Sequence, residues 1–207
     1  MATNLQPKIP SSLGEPAWEV AEFFPAQGEW KEEDFFRIHS NRMAELVDGK
    51  LEILPMPTWL HQLIVDFLVT QIKRHAVGAN AGVALFAPLP VRLFPRTIRE
   101  PDILYVRSEN LPRDPESYPN RVDLVMEVVS RGAEARKRDY EDKRADYAKA
   151  GVSEYWIVDP ERSLVTVLTL ERSGYRVASE SRCGETARSI LLDGLAIRVD
   201  DILALGK

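Results

Sequence analysis

The chain has 207 residues, a size that fits one domain with one core and needs no disulfide or metal staple. Its formal net charge of -5 argues against a protein that coats nucleic acid nonspecifically, which requires many phosphate-neutralising cations, but not against one whose cations gather around a cleft. The lone Cys183 excludes an internal disulfide and a thiolate zinc site, residues 1–17 lack the apolar core of a signal peptide, and no run reaches the ~18–20 apolar residues of a membrane span, so a soluble, cytoplasmic chain with no membrane association is expected.

Residues 1–30 carry scattered prolines and glycines and are expected to form an arm over the core or a partner subunit, ahead of a domain spanning 31–207. Lys31 to His39 reads as a short helix with Phe35 and Phe36 inward and three acids in its first turn. ELVDGKLEIL at 45–54 reads as a hairpin, with Asp48-Gly49 supplying the positive dihedrals of a tight turn. Thr58 caps a predicted helix running to about His75, in which Leu60, Ile64, Phe67, Leu68 and Ile72 recur at helical spacing. Val83 to Phe94 gives strand material broken around Pro88 and Pro90, and Ile103 to Val106 gives another strand before a polar loop over 107–121.

Val122 to Val129 has the apolar density of a central strand covered on both faces, with Val122, Leu124, Met126 and Val128 assigned to one of them. A helix over about Ala133 to Ala150, stopped by Gly151, then leads to a strand at 154–160, which together make a right-handed βαβ unit. A hairpin turning near Glu171 to Gly174 and a returning tail complete an α/β or α+β fold with a mixed central sheet flanked by helices and additional hairpins.

Two carboxylates stand out against this pattern. Asp102 opens the run PDILYV and Glu127 interrupts VDLVMEVVS, and an acid inside a sheet is costly unless it is paired or binds a metal. The structural alternatives are a strand-start cap for Asp102 and an edge position or salt bridge for Glu127. Together the two acids suit Mg²⁺ or Mn²⁺, with the backbone carbonyl of Val128 as a third oxygen. Lys143, on the following helix, is the electrostatic partner expected for phosphoester hydrolysis, against the alternative of a surface i,i+4 pair with Asp139. Glu45 and His61 are secondary candidates, the first for the metal or its water and the second for phosphate binding or proton transfer. Arg131, Arg136, Lys137 and Arg138 crowd a helix start, either as solvated charges or as a phosphate-positioning group. There is no HExxH, P-loop, dinucleotide loop or GxSxG pattern.

DGKLEILPMP at 48–57, His61, REPDILYV at 99–106, DLVMEVVS at 123–130 and RDYEDKRADYAKAGVSEYWIVDP at 138–160 resemble the Uma-two family within the PD-(D/E)XK nuclease superfamily. The spacing D-x-x-x-K-x-x-x-Y-x-x-x-G-V-x-E-Y-W-x-V-D-P is its most specific part. The resemblance, running from about Trp30 onward, implies a restriction-endonuclease-like core, Mg²⁺-dependent DNA cleavage and a homodimer. It assigns Asp102 and Glu127 as metal acids and Glu45 as the acid of the early hairpin. The lysine of the superfamily's E-x-K would fall at Val129, so the resemblance moves that role to Lys143. A noncatalytic nucleic-acid or protein interaction module that keeps the fold is the alternative function, and a small-phosphoester hydrolase is a third.

Overall fold

The computed structural model describes residues 24–38, 43–76 and 82–206. The greater part of the proposed arm, and His39 at the end of the first expected helix, lie outside the described residues. Residues 27–30 run along the first hairpin: Gly28 and Trp30 N–H both donate to the Gly49 carbonyl, and the Gln27 amide pairs with the Leu51 backbone. Trp30 is buried with Phe35, Ala44, Leu46 and Ile98 in a small core of its own.

Helix α1 spans Glu32–Phe36, and strands β1 (Ala44–Val47) and β2 (Lys50–Ile53) form the expected hairpin with Val47 opposite Lys50. Asp48 and Gly49 have φ of 47° and 74°, the left-handed values this two-residue turn demands. Helix α2 covers Trp59–His75, and the Thr58 hydroxyl accepts the His61 N–H at 3.2 Å as its N-cap. Strands β3 (Val83–Phe86) and β4 (Val91–Phe94) are separated by the proline-containing break, and β6 spans Ile103–Val106. Between them lies β5 (Thr97–Arg99), a three-residue strand that the sequence pattern did not suggest.

Strand β7 (Leu124–Val128) runs parallel to β8 (Glu154–Asp159), joined by a helix in three parts: α3 (Ala133–Lys137), a π turn (Arg138–Asp142) and α4 (Lys143–Ala150). Gly151, at φ 81°, closes that helix in the left-handed conformation open to a residue without Cβ. The hairpin of β9 (Leu164–Glu171) and β10 (Gly174–Arg182) follows, then β11 (Thr186–Arg188), β12 (Ala196–Arg198) and α5 (Val199–Ala204).

The strands form two principal sheets: a six-stranded mixed sheet in the order β10-β9-β8-β7-β6-β3, and a four-stranded sheet in the order β2-β1-β5-β4. β11 and β12 make a separate two-stranded ribbon. One face of β7 packs Leu124, Met126 and Val128 against Ile64, Leu68 and Ile72 of α2, while the other packs Val125 and Val129 against Tyr147 and Tyr155. Val122 joins Val125 and Val129 rather than Leu124, because the regular pleat begins only at Leu124. Burying each large apolar side chain contributes about 1.5–3 kcal/mol, so the two faces together fix β7 at the centre of the body. No helix among the described residues is long and apolar enough to cross a membrane.

Candidate active site

The register of the central sheet brings the two conspicuous acids together. Ile103 of β6 pairs with Met126 of β7, so one step back along β6 Asp102 stands opposite Glu127. The Val128 N–H donates to Asp102 Oδ2 at 2.8 Å, and His61 Nε2, from the first turn of α2, lies 3.1 Å from the same oxygen. Glu127 Oε1 accepts the Tyr147 hydroxyl at 2.6 Å and lies 2.9 Å from Lys143 Nζ. Each acid keeps its second oxygen, Asp102 Oδ1 and Glu127 Oε2, outside the hydrogen bonds among the described residues. Both acids, His61, Val128 and Lys143 line one cavity of about 230 Å³, bounded by the 54–57 loop, the start of α2 and the π turn.

Lys143 is 2% exposed and is no surface partner of Asp139: its ammonium sits between Glu127 and Glu45, 3.3 Å from Glu45 Oε1. Glu45 is fully buried, and both of its oxygens are engaged. Arg99 Nη1 donates to Oε2 at 2.7 Å and the Glu100 N–H donates to Oε1 at 3.0 Å. Arg99 in turn donates to Asp146 Oδ2 from Nη2 at 2.6 Å, tying the four-stranded sheet to α4. In this geometry Glu45 holds Lys143 in place and does not offer the cavity a free oxygen.

The electrostatics follow from more carboxylates than cations around one space. Burial and the charges of Asp102, Asp139 and Glu45 push Glu127 up to about 8 despite the adjacent Lys143. Burial would lower Lys143, but Glu127 and Glu45 outweigh it and hold the ammonium above its usual range. Both partners of the pair therefore shift upward for different reasons, Glu127 chiefly through burial with the neighbouring acids adding to it, and Lys143 through the carboxylates beside it. Burial would also raise Asp102 and Glu45. His61 and Lys143 reverse it for Asp102, and Lys143 with Arg99 reverses it for Glu45, leaving both below the usual carboxylate range. His61 is held above its ordinary value because the Asp102 hydrogen bond and charge outweigh burial.

The basic cluster at the helix start divides. Arg136 is neutralised by Asp159 at 3.1 Å and Glu161 at 2.6 Å, whereas Arg138 lines the cavity. Among the described residues, no set of three or more His, Cys, Asp or Glu side chains is grouped so as to hold a metal ion alone. Sequence reasoning gave no site role to Arg99, Glu100, Tyr147 or Asp139, the last weighed as a surface partner for Lys143 only in the alternative reading. The signal for the first two was the charged pair wedged between the apolar TI and ILYV runs; for Tyr147 it was helical spacing of four from Lys143.

The sequence matches the Uma2 family model, described as "Putative restriction endonuclease", over residues 32–200. A search of curated proteins found no match. Among solved structures, the chain superposes on one described as a "putative nuclease belonging to DUF820 from Anabaena variabilis ATCC 29413", with a TM-score of 0.70 at 17% identity. That superposition covers 84% of this chain and 98% of the other, and it shows a shared fold. The family match spans most of the described body, including every residue of the cavity named above, and on that ground the chain belongs to the Uma2 family of restriction-endonuclease-like proteins.

Proposed function

We propose that this protein is a divalent-metal-dependent endodeoxyribonuclease that hydrolyses DNA phosphodiester bonds as a homodimer. The observation that carries the reading is Lys143, delivered by the helix to within 2.9 Å of Glu127 while Val129 occupies the strand position where the superfamily pattern has its lysine. The donor set fits a hard cation: Asp102 Oδ1, Glu127 Oε2 and the Val128 carbonyl are oxygen donors, and the surplus negative charge is of the kind a divalent ion offsets. When bound, Mg²⁺ or Mn²⁺ would make water a better nucleophile and neutralise charge on the phosphoryl oxygens.

The chain's own residues do the rest. His61 and the Val128 N–H both hold Asp102 Oδ2, which leaves Oδ1 outside those bonds at the cavity that Asp102 lines. Tyr147 and Lys143 together fix Glu127 through Oε1. The Lys143 ammonium, kept charged by Glu127 and Glu45, meets negative charge developing on the scissile phosphate in a partly water-excluded cavity, where such stabilisation is strongest. Arg138 at the wall positions the backbone phosphate.

The test is cleavage of duplex, nicked, branched and single-stranded DNA with Mg²⁺, Mn²⁺ or chelator, using the wild type, D102N and E127Q. Cation-dependent cleavage lost in both variants supports the reading. Cleavage that persists in chelator, or that both variants retain, overturns it, and DNA binding without cleavage in every arm favours a binding module instead.

A further inference from the structure

Two acids of the cavity have no place in this reading. Asp139 is 2% exposed and Glu100 is 8% exposed, and both line the cavity with Asp102 and Glu127. Asp139 Oδ1 and Glu100 Oε2 are enclosed and have no hydrogen-bond partner. Arg138 Nε, 3.5 Å from Asp139 Oδ1, makes no hydrogen bond to it and is itself unpartnered. Buried carboxylate oxygens left in this state are costly, and a fold does not place two around one small space for stability.

They also arrive from unrelated elements. Glu100 precedes β6, whereas Asp139 sits in the π turn, which closes through the Lys143 N–H to the Arg138 carbonyl. Such turns concentrate at functional positions, and here the Tyr155 hydroxyl anchors the turn by donating to the Asp139 carbonyl at 2.8 Å. A hard cation held by two carboxylates keeps several waters, and those waters carry protons that need acceptors.

We propose that Asp139 and Glu100 are positioning residues whose open oxygens accept hydrogen bonds from the water shell of a divalent cation held by Asp102 and Glu127. The inference rests on the metal-dependent reading of the same cavity. It predicts opposite signs for two measurements. Without cation each acid keeps one buried oxygen that accepts no hydrogen bond. Their isosteric amides should therefore raise the cation-free melting temperature, by roughly 2–4 °C for a domain of this size. The same changes should weaken cation binding ~10–100-fold, the usual effect of losing a partner just outside the ligands.

The experiment is calorimetric titration of the full chain with Mn²⁺ and thermal unfolding in chelator, for the wild type, D102N, D139N and E100Q. A raised melting temperature with weakened Mn²⁺ binding in D139N and E100Q supports the proposal. Mn²⁺ affinity lost in D102N but unchanged in D139N and E100Q overturns this inference while leaving the metal site standing. A lowered melting temperature with unchanged affinity marks the two acids as structural and overturns it too. No Mn²⁺ binding by the wild type overturns the metal reading and this inference together.

Discussion

Glu127 and Glu154 are buried acids on neighbouring parallel strands of one sheet, and they are opposites in how their charge is met. Glu154, at the first residue of β8, accepts from Trp156 Nε1 at 2.6 Å, the Ser189 hydroxyl at 2.7 Å and the Ile190 and Leu191 N–H groups at 2.6 and 2.7 Å. Every lone pair of importance is used, and the acid serves to fasten the 189–192 segment to the sheet. Glu127 has one tyrosine and one ammonium on a single oxygen, further acids close by and an open side toward a cavity. Burial of a carboxylate is common to both. What separates the two is the inventory of their donors, and that inventory depends on the fold.

The sharpest way to break this contrast is to remove Lys143. K143M leaves Glu45 and Glu127 facing each other without the ammonium between them, so it should cost about 3–5 kcal/mol in a denaturant titration. In the folded fraction it should lower the cleavage rate by on the order of 10²–10³-fold. A loss of stability with no loss of rate would reduce Lys143 to a structural counter-ion.

E154Q probes the other side. An amide has one acceptor oxygen, so it can serve the two backbone N–H groups on Oε2 or the Trp156 and Ser189 donors on Oε1 but not both pairs, and stability should fall by about 1.5–3 kcal/mol while cation affinity and the rate per folded molecule stay at wild-type values. A change in Mn²⁺ affinity would show that the two acids are not independent.

The pH dependence of the cation-free protein gives a smaller effect with a definite sign. Burial and the neighbouring acids push Glu127 up to about 8 in the folded state, against an ordinary carboxylate value of 4.5 in the unfolded chain. The folded state therefore holds a proton that the unfolded chain has lost across that window. This contribution to stability is complete below about pH 4.5 and disappears as pH rises through about 8. Denaturant melts from pH 5 to 8.5 should show the decline in the wild type and its flattening in E127Q; parallel curves would count against the upward shift of Glu127. The smallest effect belongs to R176A, which breaks an exposed pair with Glu171 and should cost no more than ~0.2–1 kcal/mol with no effect on the rate.

Much of this body was readable from local pattern. The Asp48-Gly49 turn, the Thr58 cap, the Gly151 stop and the parallel β7 and β8 about one helix all follow from turn chemistry and periodicity. The pairing of Asp102 with Glu127, and the burial of Lys143 beside them, were reachable from strand alternation together with the family pattern. β5 was not, since it has three residues, follows a turn at Arg96 and pairs with β1 only through Leu46 and Ile98. Its last residue, Arg99, reads as an ordinary surface cation until the four-stranded sheet meets α4 and closes it between Glu45 and Asp146. The π turn likewise has no signature in residue spacing, so Asp139 looked like an exposed helical acid. Glu154 shows the reverse failure: a buried acid as conspicuous as Glu127 that drew no notice, because its four donors come partly from a segment more than 30 residues away.

The most direct measurement is Mg²⁺-dependent DNA cleavage by E127Q, taken beside its thermal melt in chelator. If Glu127 is an incompletely neutralised acid kept for a cation, cleavage falls below detection while the cation-free melting temperature matches or exceeds that of the wild type. Cleavage at the wild-type rate, or a loss of cleavage that merely accompanies a collapse in melting temperature, would contradict it.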